Sequence, residues 1–229
     1  MTSYAREEAD PYCAWPAEAD LLVRATPWKR VVVVGDSVAA GIREPLEGYR
    51  DLDGTGRVAD AFGSSVEYLN LGVRDLRIAE IRATQLEPAL EFAPDLAIVA
   101  AGGNDVLGRK FDEQYVETEL TAVVGPLVAQ GAQLAMIGLF DLARSGLVPA
   151  EHAPALAERF DRFDALTKRV AQAHGGVQSE NHAHPLAADP SIFSSDRIHC
   201  NARGHAIAAT TLLEALLVLW KRQDEERTA

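Results

Sequence analysis

The sequence has few cysteines and comparatively few positive charges. Only Cys13 and Cys200 are cysteines, which is too few for a disulfide framework. Lysine and arginine together number 22 against 34 aspartates and glutamates, which gives a formal net charge of -12. Binding to nucleic acid or to an anionic membrane depends on basic residues that neutralise phosphates. The charge balance therefore argues against both kinds of partner.

The start of the sequence lacks the features of a targeting segment. Residues 1–10 are polar and acidic, without the basic and apolar regions of a secretory signal. The most apolar run near the other end, 206–220, is shorter than a bilayer span and contains Glu214. We therefore expect a cytoplasmic protein whose thiols are reduced.

Motifs for the common cofactors are missing as well. The sequence contains neither the glycine-rich phosphate loop that ends in lysine nor the three-glycine turn of dinucleotide-binding proteins. The Gly-x-Ser-x-Gly turn of the α/β-hydrolases is also absent. His182 and His184 could begin a metal site, but no third ligand follows at a recognisable spacing. We expect no cofactor and no metal.

The most informative stretch that is present covers residues 31–37, with the sequence Val-Val-Val-Val-Gly-Asp-Ser. Four successive β-branched residues ended by a glycine predict a short strand that is buried on both faces. Ser37 would follow the carboxyl end of this strand, and ligands of open α/β sheets bind in the crevice at that end. Taken alone, the stretch makes Ser37 either a nucleophile or the cap of a following helix.

Apolar stretches alternate with helical patterns along the rest of the sequence. This alternation predicts βαβ units and a mainly parallel sheet. We expect one domain over residues 29–222, preceded by an N-terminal extension (1–28) and followed by a polar tail (223–229). Glycine and proline predict a loop at 43–57. The predicted strands are 30–34, 66–71, 96–101 and 133–140, with a weak fifth near Val177, and the predicted helices are 17–24, 75–90, 112–130, 155–173 and 203–221.

Residues suited to catalysis occur at three places. Asn104 follows the third predicted strand, and its side-chain N–H suits an oxyanion hole. Asp196 and His199 precede the last helix at a spacing that lets the carboxylate hold the imidazole Nδ1–H, which leaves Nε2 free to accept a proton from Ser37. Each residue also has a structural interpretation, in which Asn104 belongs to a turn and His199 is a buried, hydrogen-bonded histidine.

Together these places resemble the SGNH/GDSL hydrolase family in three sequence blocks, which are Gly35-Asp36-Ser37, Gly103-Asn104-Asp105 and Asp196-x-x-His199. The resemblance covers about residues 28–222. It implies a flavodoxin-like three-layer α/β/α sandwich with a mainly parallel five-stranded sheet. It also implies Ser37 as nucleophile, His199 as general base and Asp196 as the acid that orients the base. The oxyanion hole would use the backbone N–H of Ser37, the side chain of Asn104 and a backbone N–H from one further block.

That further block departs from the family pattern. The family places a glycine five residues after an asparagine, whereas the residue five positions after Asn70 is Asp75. A backbone N–H can donate from any residue type, but a carboxylate beside a developing oxyanion opposes it unless the carboxylate is paired. Arg74 is a nearby partner for such a pair, as is Arg77. Gly72 is the alternative donor if the turn is shifted.

The expected function is that of a serine hydrolase, an esterase or deacylase that cleaves the O-acyl ester of a small molecule through an acyl-enzyme on Ser37. An acyltransferase that uses the same acyl-enzyme is one alternative, and a non-catalytic ligand-binding protein with this fold is another. Loops near 43–60, 106–115, 141–154 and 181–195 would shape the substrate pocket. Because a fold does not determine a substrate, the sequence specifies neither the ester nor the oligomeric state.

Overall fold

A computed structural model describes residues 4–228, and a five-stranded parallel sheet forms its centre. The strand order is β2-β1-β3-β4-β5, and all four pairings are parallel. The predicted mainly parallel five-stranded sheet is therefore confirmed, including the weak strand near Val177. The strands are β1 (Arg30–Gly35), β2 (Glu67–Asn70), β3 (Leu96–Ala100), β4 (Gln133–Ile137) and β5 (Val177–Ser179).

Helices cover both faces of this sheet. Within residues 4–228 they are α1 (Ala5–Ala9), α2 (Ala19–Arg24), α3 (Gly54–Phe62), α4 (Ile78–Glu91), α5 (Gly103–Val106), α6 (Glu113–Ala129), α7 (Ala153–Ala173) and α8 (Ala202–Thr228). Alternate side chains of β1 enter two separate cores. Val32 and Val34 pack with α4, α6 and α7, whereas Val31 and Val33 pack with α2, α3 and α8. The expected three-layer α/β/α sandwich is thus confirmed.

Helix α3 was not predicted, and the predicted loop at 43–57 is wrong from Gly54 onward. Asp53 caps the helix, because its Oδ1 accepts a hydrogen bond from the backbone N–H of Gly56 at 2.8 Å. Glycine in this first turn lets the helix approach α8 closely, since a Cβ at Gly54 would lie 3.3 Å from the carbonyl oxygen of His205. Packing on a distant helix therefore overrides a glycine-rich local signal.

The last helix is longer than predicted and continues through the predicted polar tail to Thr228, while Ala229 lies outside the described residues. Its stretch Ala202–Gln223 is long and apolar enough to cross a membrane by length and composition alone. However, 72% of its most apolar window is buried inside the protein. Leu212 and Leu216 pack in the core between α8 and the sheet. The helix thus has the burial of a core helix.

The N-terminal extension is tied to the rest of the protein by buried ion pairs. Glu7 lies 2.6 Å from the guanidinium of Arg57, whose side chain is only 1% exposed. Asp10 accepts hydrogen bonds from Nε of Arg203 at 2.7 Å and from the hydroxyl of Tyr49 at 2.9 Å. These contacts connect the extension to the loop that precedes α3 and to the start of α8. Residues 1–3 of the extension lie outside the described part of the chain.

Candidate active site

Ser37 lies in a tight turn directly after β1. Gly35 is required at the strand end, because a Cβ there would lie 1.9 Å from the carbonyl oxygen of Ala100. Oδ1 of Asp36 closes the turn by accepting a hydrogen bond from the backbone N–H of Val38 at 3.0 Å. Residues 37–41 form turns and not a helix, so Ser37 caps no helix here. The side chain is instead placed at the carboxyl edge of the sheet.

Asn104 lies at the same edge, in helix α5 after β3. The chain turns sharply at Gly102, which has a φ of 102° and leaves no room for a side chain beside Phe163. The Asn104 amide donates one hydrogen bond to the carbonyl oxygen of Leu76 at 2.9 Å. Because this amide has two N–H groups, the contact orients the side chain and leaves the second N–H for a ligand.

Asp196 and His199 form a hydrogen-bonded pair in the loop before α8. Oδ2 of Asp196 lies 2.6 Å from Nδ1 of His199, and Oδ1 accepts the backbone N–H groups of Ile198 and His199 at 3.0 Å. Burial raises the pKa of the Asp196 carboxyl, but these hydrogen bonds outweigh burial and hold the pKa below its ordinary value. The ionised carboxylate keeps a proton on Nδ1, so Nε2 of His199 is free to accept one.

The residues from three predicted blocks meet at one cavity. Ser37, Asn104 and His199 all line a cavity of about 100 Å³. Among residues 4–228, no hydrogen bond joins Ser37 to His199, and catalytic hydrogen bonds of this kind often shorten only in the complex with substrate. Six apolar side chains contribute much of the remaining lining. They come from the carboxyl end of β4 and the loop after it, from α7 and from the loop before α8, and they are Ile137, Leu139, Phe140, Leu142, Phe160 and Phe193.

The further block, which follows β2, offers Gly72 and Asp75 as alternative donors to the oxyanion hole. The backbone N–H of Gly72 donates to Oδ1 of Asn70 at 2.8 Å, so it is already engaged. Asp75 has a φ of 68°, in the left-handed region that a glycine adopts most easily. Its exposed carboxylate lies 3.1 Å from Nε of Arg74. Asp75 therefore adopts the backbone conformation of the glycine that the family has at this position and has a paired charge, although neither Asp75 nor Gly72 lines the cavity.

Asp36, the middle residue of the first sequence block, is a buried carboxylate at the centre of the site. Its side chain joins two turns, because Oδ2 accepts a hydrogen bond from the backbone N–H of Gly103 at 3.2 Å. Burial raises the pKa of Asp36 to about 6, the charge of Asp105 adds to the rise, and His199 opposes it. The sequence places Asp36 beside Ser37, but it does not reveal Gly103 as the partner of the Asp36 carboxylate.

His205 is a second lining residue that the sequence analysis missed. It is 6% exposed, accepts the backbone N–H of Gly54 at Nδ1 and lies with Nε2 3.1 Å from the carbonyl oxygen of Ile42. Burial lowers the pKa of His205 to about 4, so the ring is neutral and donates from Nε2 to Ile42. Its role here is to join α3 and α8 to the turn after Ser37.

Metal ligation has no structural support within the described residues, where no group of three or more metal-binding side chains occurs. Nε2 of His182 is 2.9 Å from the carboxylate of Asp161. The ring of His184 packs edge-on against Tyr12 and Phe140. The two histidines therefore have separate partners.

Comparisons with solved structures identify the same fold in several esterases. The acetylxylan esterase Axe2 from Geobacillus stearothermophilus matches with a TM-score of 0.67 and 16% identity over 82% of this chain and 93% of that one. The esterase EstA from Pseudoalteromonas sp. matches with a TM-score of 0.64 and 14% identity over 84% and 99%. TesA matches with a TM-score of 0.62 and 21% identity over 82% and 98%. No curated protein matches the sequence significantly.

The family model for GDSL-like lipases and acylhydrolases matches residues 33–207, which is most of the chain. The matched range contains the turn of Ser37, the turn of Asn104 and the pair of Asp196 and His199. This agrees with the family resemblance predicted from the sequence. The chain belongs to the GDSL-like lipase/acylhydrolase family and is a carboxylic ester hydrolase.

Proposed function

We propose that the protein hydrolyses the O-acyl ester of a small molecule through an acyl-enzyme on Ser37. The observation that carries this proposal is the 2.6 Å contact between Asp196 and His199, made by a histidine that lines the same cavity as Ser37. In such a triad the acid orients the histidine, and the histidine takes the proton of the serine hydroxyl, which makes the serine oxygen nucleophilic. Asn104, oriented by the carbonyl oxygen of Leu76, supports the oxyanion hole.

The reaction begins when Nε2 of His199 takes the proton of the Ser37 hydroxyl and the Ser37 oxygen attacks the carbonyl carbon of the ester. Negative charge then develops on the carbonyl oxygen, where the N–H of Ser37, the side chain of Asn104 and the N–H of Asp75 stabilise it. The intermediate releases the alcohol, which takes the proton from His199. Water, deprotonated by the same histidine, then cleaves the acyl-enzyme.

The cavity next to Ser37 supports a short acyl group. Its volume of about 100 Å³ is small, and its lining contains three phenylalanines, Phe140, Phe160 and Phe193. Each methylene that the cavity can bury contributes about 0.8 kcal/mol, and each one beyond its capacity must displace packed side chains. Structural similarity to an acetylxylan esterase supports the same preference, since that neighbour is named for removing an acetyl group.

A p-nitrophenyl ester series of increasing acyl length tests the proposal. We expect turnover to be best for the short acyl chains, and we expect Ser37→Ala to lower kcat by about 10⁴-fold or more. Ser64→Ala, at an exposed serine away from the cavity, is the matched control and should keep the wild-type rate. A fluorophosphonate probe should label wild type at Ser37. Full activity in Ser37→Ala, or neither turnover nor labelling in wild type, would show that the proposal is wrong.

A further inference from the structure

Four basic side chains gather around the segment that follows α5, and we call them the cationic rim: Arg77, Arg109, Lys110 and Arg159. Arg159 donates to the carbonyl oxygen of Gly108 at 2.7 Å from one side of this segment. The guanidinium of Arg77 approaches Gly108 from the other side. Its Nη2 would lie 3.2 Å from a Cβ atom added to this glycine. Arg109 and Lys110 belong to the segment itself and are exposed.

The charges of the rim lack carboxylate partners. No member of the rim forms an ion pair within the part of the chain that the structure describes, whereas the adjacent Arg162 and Arg169 share Glu113 at 2.9 and 3.1 Å. Arg77 faces the buried Asp105, whose negative charge offsets part of its own, so the uncompensated charge of the rim belongs mainly to Arg109, Lys110 and Arg159. Since like charges repel one another, an anion bound among these three would relieve the repulsion.

The rim lies next to the catalytic cavity, because Arg159 donates to the carbonyl oxygens of Val106 and Gly108, which flank the cavity-lining Leu107. Leu107 lines the cavity and lies inside the segment that the rim surrounds, two residues before Arg109. A separate open groove of about 770 Å³ is bordered by Arg109, Lys110 and Arg159.

Two of the three carboxylates that line this groove are paired with arginines. Asp112 accepts the backbone N–H of Tyr115, Glu113 binds two arginines, and Glu117 lies 3.4 Å from Arg169. Asp112 keeps its negative charge, but the unpaired Arg109, Lys110 and Arg159 outnumber it, so the groove presents an excess of positive charge to a ligand.

We propose that the cationic rim is a subsite for the leaving part of the ester, and that this part carries an anionic group, a carboxylate or a phosphate. The inference rests on the proposed function. The acyl group occupies the apolar cavity beside Ser37, the scissile carbonyl lies between Ser37 and Asn104, and the leaving part extends past Leu107 to the rim. Such a substrate has an apolar end and an anionic end, which matches the contrast between cavity and groove.

Three acetyl esters that share one aromatic ring test the subsite. Methyl 4-acetoxybenzoate is neutral, 4-acetoxybenzoate adds a carboxylate, and 4-acetoxyphenyl phosphate adds a phosphate. We expect kcat/KM to be higher for at least one anionic ester than for the neutral one. The preferred anionic ester identifies which anion the rim recognises. We also expect this preference to fall as sodium chloride is raised, because salt screens exposed charges.

The double variant Arg109→Ala/Lys110→Ala should reduce the ratio of anionic to neutral kcat/KM by about tenfold, since each exposed charge pair contributes a few-fold. The matched control is Arg24→Ala/Lys29→Ala, which removes two exposed charges at the other edge of the sheet and should keep the wild-type ratio. If the neutral ester is hydrolysed but the rim variant keeps the wild-type ratio, the subsite is rejected and the proposed function stands. If no ester is hydrolysed, the proposed function is rejected and the subsite with it.

Discussion

The carboxylate of Asp36 accepts a hydrogen bond from the backbone N–H of Gly103 at 3.2 Å. This contact joins the turn that holds Ser37 to the turn that holds Asn104. The Asp36 side chain is 1% exposed, and its other oxygen accepts the N–H of Val38 within the serine turn. A single buried side chain therefore sets the distance between the two turns, at the cost of removing a carboxylate from water.

The cost of burying Asp36 can be measured through the pH dependence of stability. Its pKa of about 6 in the folded protein exceeds the ordinary value of 3.8, so the folded state binds a proton there that the unfolded state releases. Stability from this group is therefore lost as pH rises from about 4 to about 6, by about 3 kcal/mol in all.

Replacement by asparagine removes this pH dependence. We expect the free energy of unfolding of Asp36→Asn, relative to wild type, to be about 3 kcal/mol larger near pH 7.5 than near pH 4, so the variant is relatively more stable at the higher pH. Urea denaturation at both pH values measures the difference, and comparing the two proteins cancels every other titrating group. A difference that does not change with pH would show that Asp36 titrates at its ordinary pKa.

The layers of the fold could be predicted because each depends on local pattern. The four valines of β1 alternate between two cores, as a strand buried on both faces must. By contrast, the sequence did not indicate that His205 is buried. Its partners, Gly54 and Ile42, lie more than a hundred residues earlier, so no pattern around His205 could reveal them.

The same limit applies to the candidate site. The Asp196–His199 pair was accessible from sequence because both residues lie in one loop, and their catalytic roles stay predictions until variants are measured. The bond from Gly103 to Asp36 joins two turns that meet only because β1 and β3 are neighbours in the sheet. Such contacts depend on strand order, which the sequence pattern alone did not provide.

Replacement of Asp196 by asparagine tests whether the carboxylate orients the catalytic base. An asparagine oxygen can still accept the backbone N–H groups of Ile198 and His199, so the loop should persist. A neutral asparagine does not stabilise the His199 imidazolium as a carboxylate does. Its N–H group can also donate to Nδ1, which favours the His199 tautomer that has its proton on Nε2. We expect kcat to fall by about 10²- to 10⁴-fold with little change in KM.

Asp189→Asn is the matched control, because Asp189 also accepts a backbone N–H in this region, from Ser191 at 2.8 Å. Steady-state kinetics on a short p-nitrophenyl ester should show it within about twofold of wild type. If Asp196→Asn kept the wild-type kcat, the carboxylate would not act through His199.

Asp75→Gly tests the proposed third oxyanion donor. Glycine keeps the backbone N–H, adopts the left-handed φ of 68° without strain, and removes only an exposed carboxylate that is paired with Arg74. We expect kcat/KM to stay at the wild-type level. Asp75→Val keeps the same N–H but is unfavourable in this conformation, so it should cost about 1–2 kcal/mol of stability and lower kcat. Equal activities in all three proteins would remove Asp75 from the hole.

The buried pair of Glu7 and Arg57 tests how firmly the N-terminal extension holds the loop beside the site. Burial raises the pKa of the Glu7 carboxyl, but hydrogen bonds from Arg57 and Arg50 outweigh burial and lower it overall. Because the folded-state pKa is depressed, the stabilisation is present at neutral pH and is lost as pH falls below the ordinary value of 4.5.

Glu7→Gln leaves the buried Arg57 charge without its counter-charge, so we expect a loss of about 3 kcal/mol in the free energy of unfolding at neutral pH. The loss should shrink as pH falls below 4.5, where wild-type Glu7 takes up a proton. Glu18→Gln, which removes the exposed partner of Lys221, should cost less than about 1 kcal/mol and serves as the control. Similar losses in the two variants would show that the buried pair of Glu7 and Arg57 contributes no more to stability than an exposed ion pair.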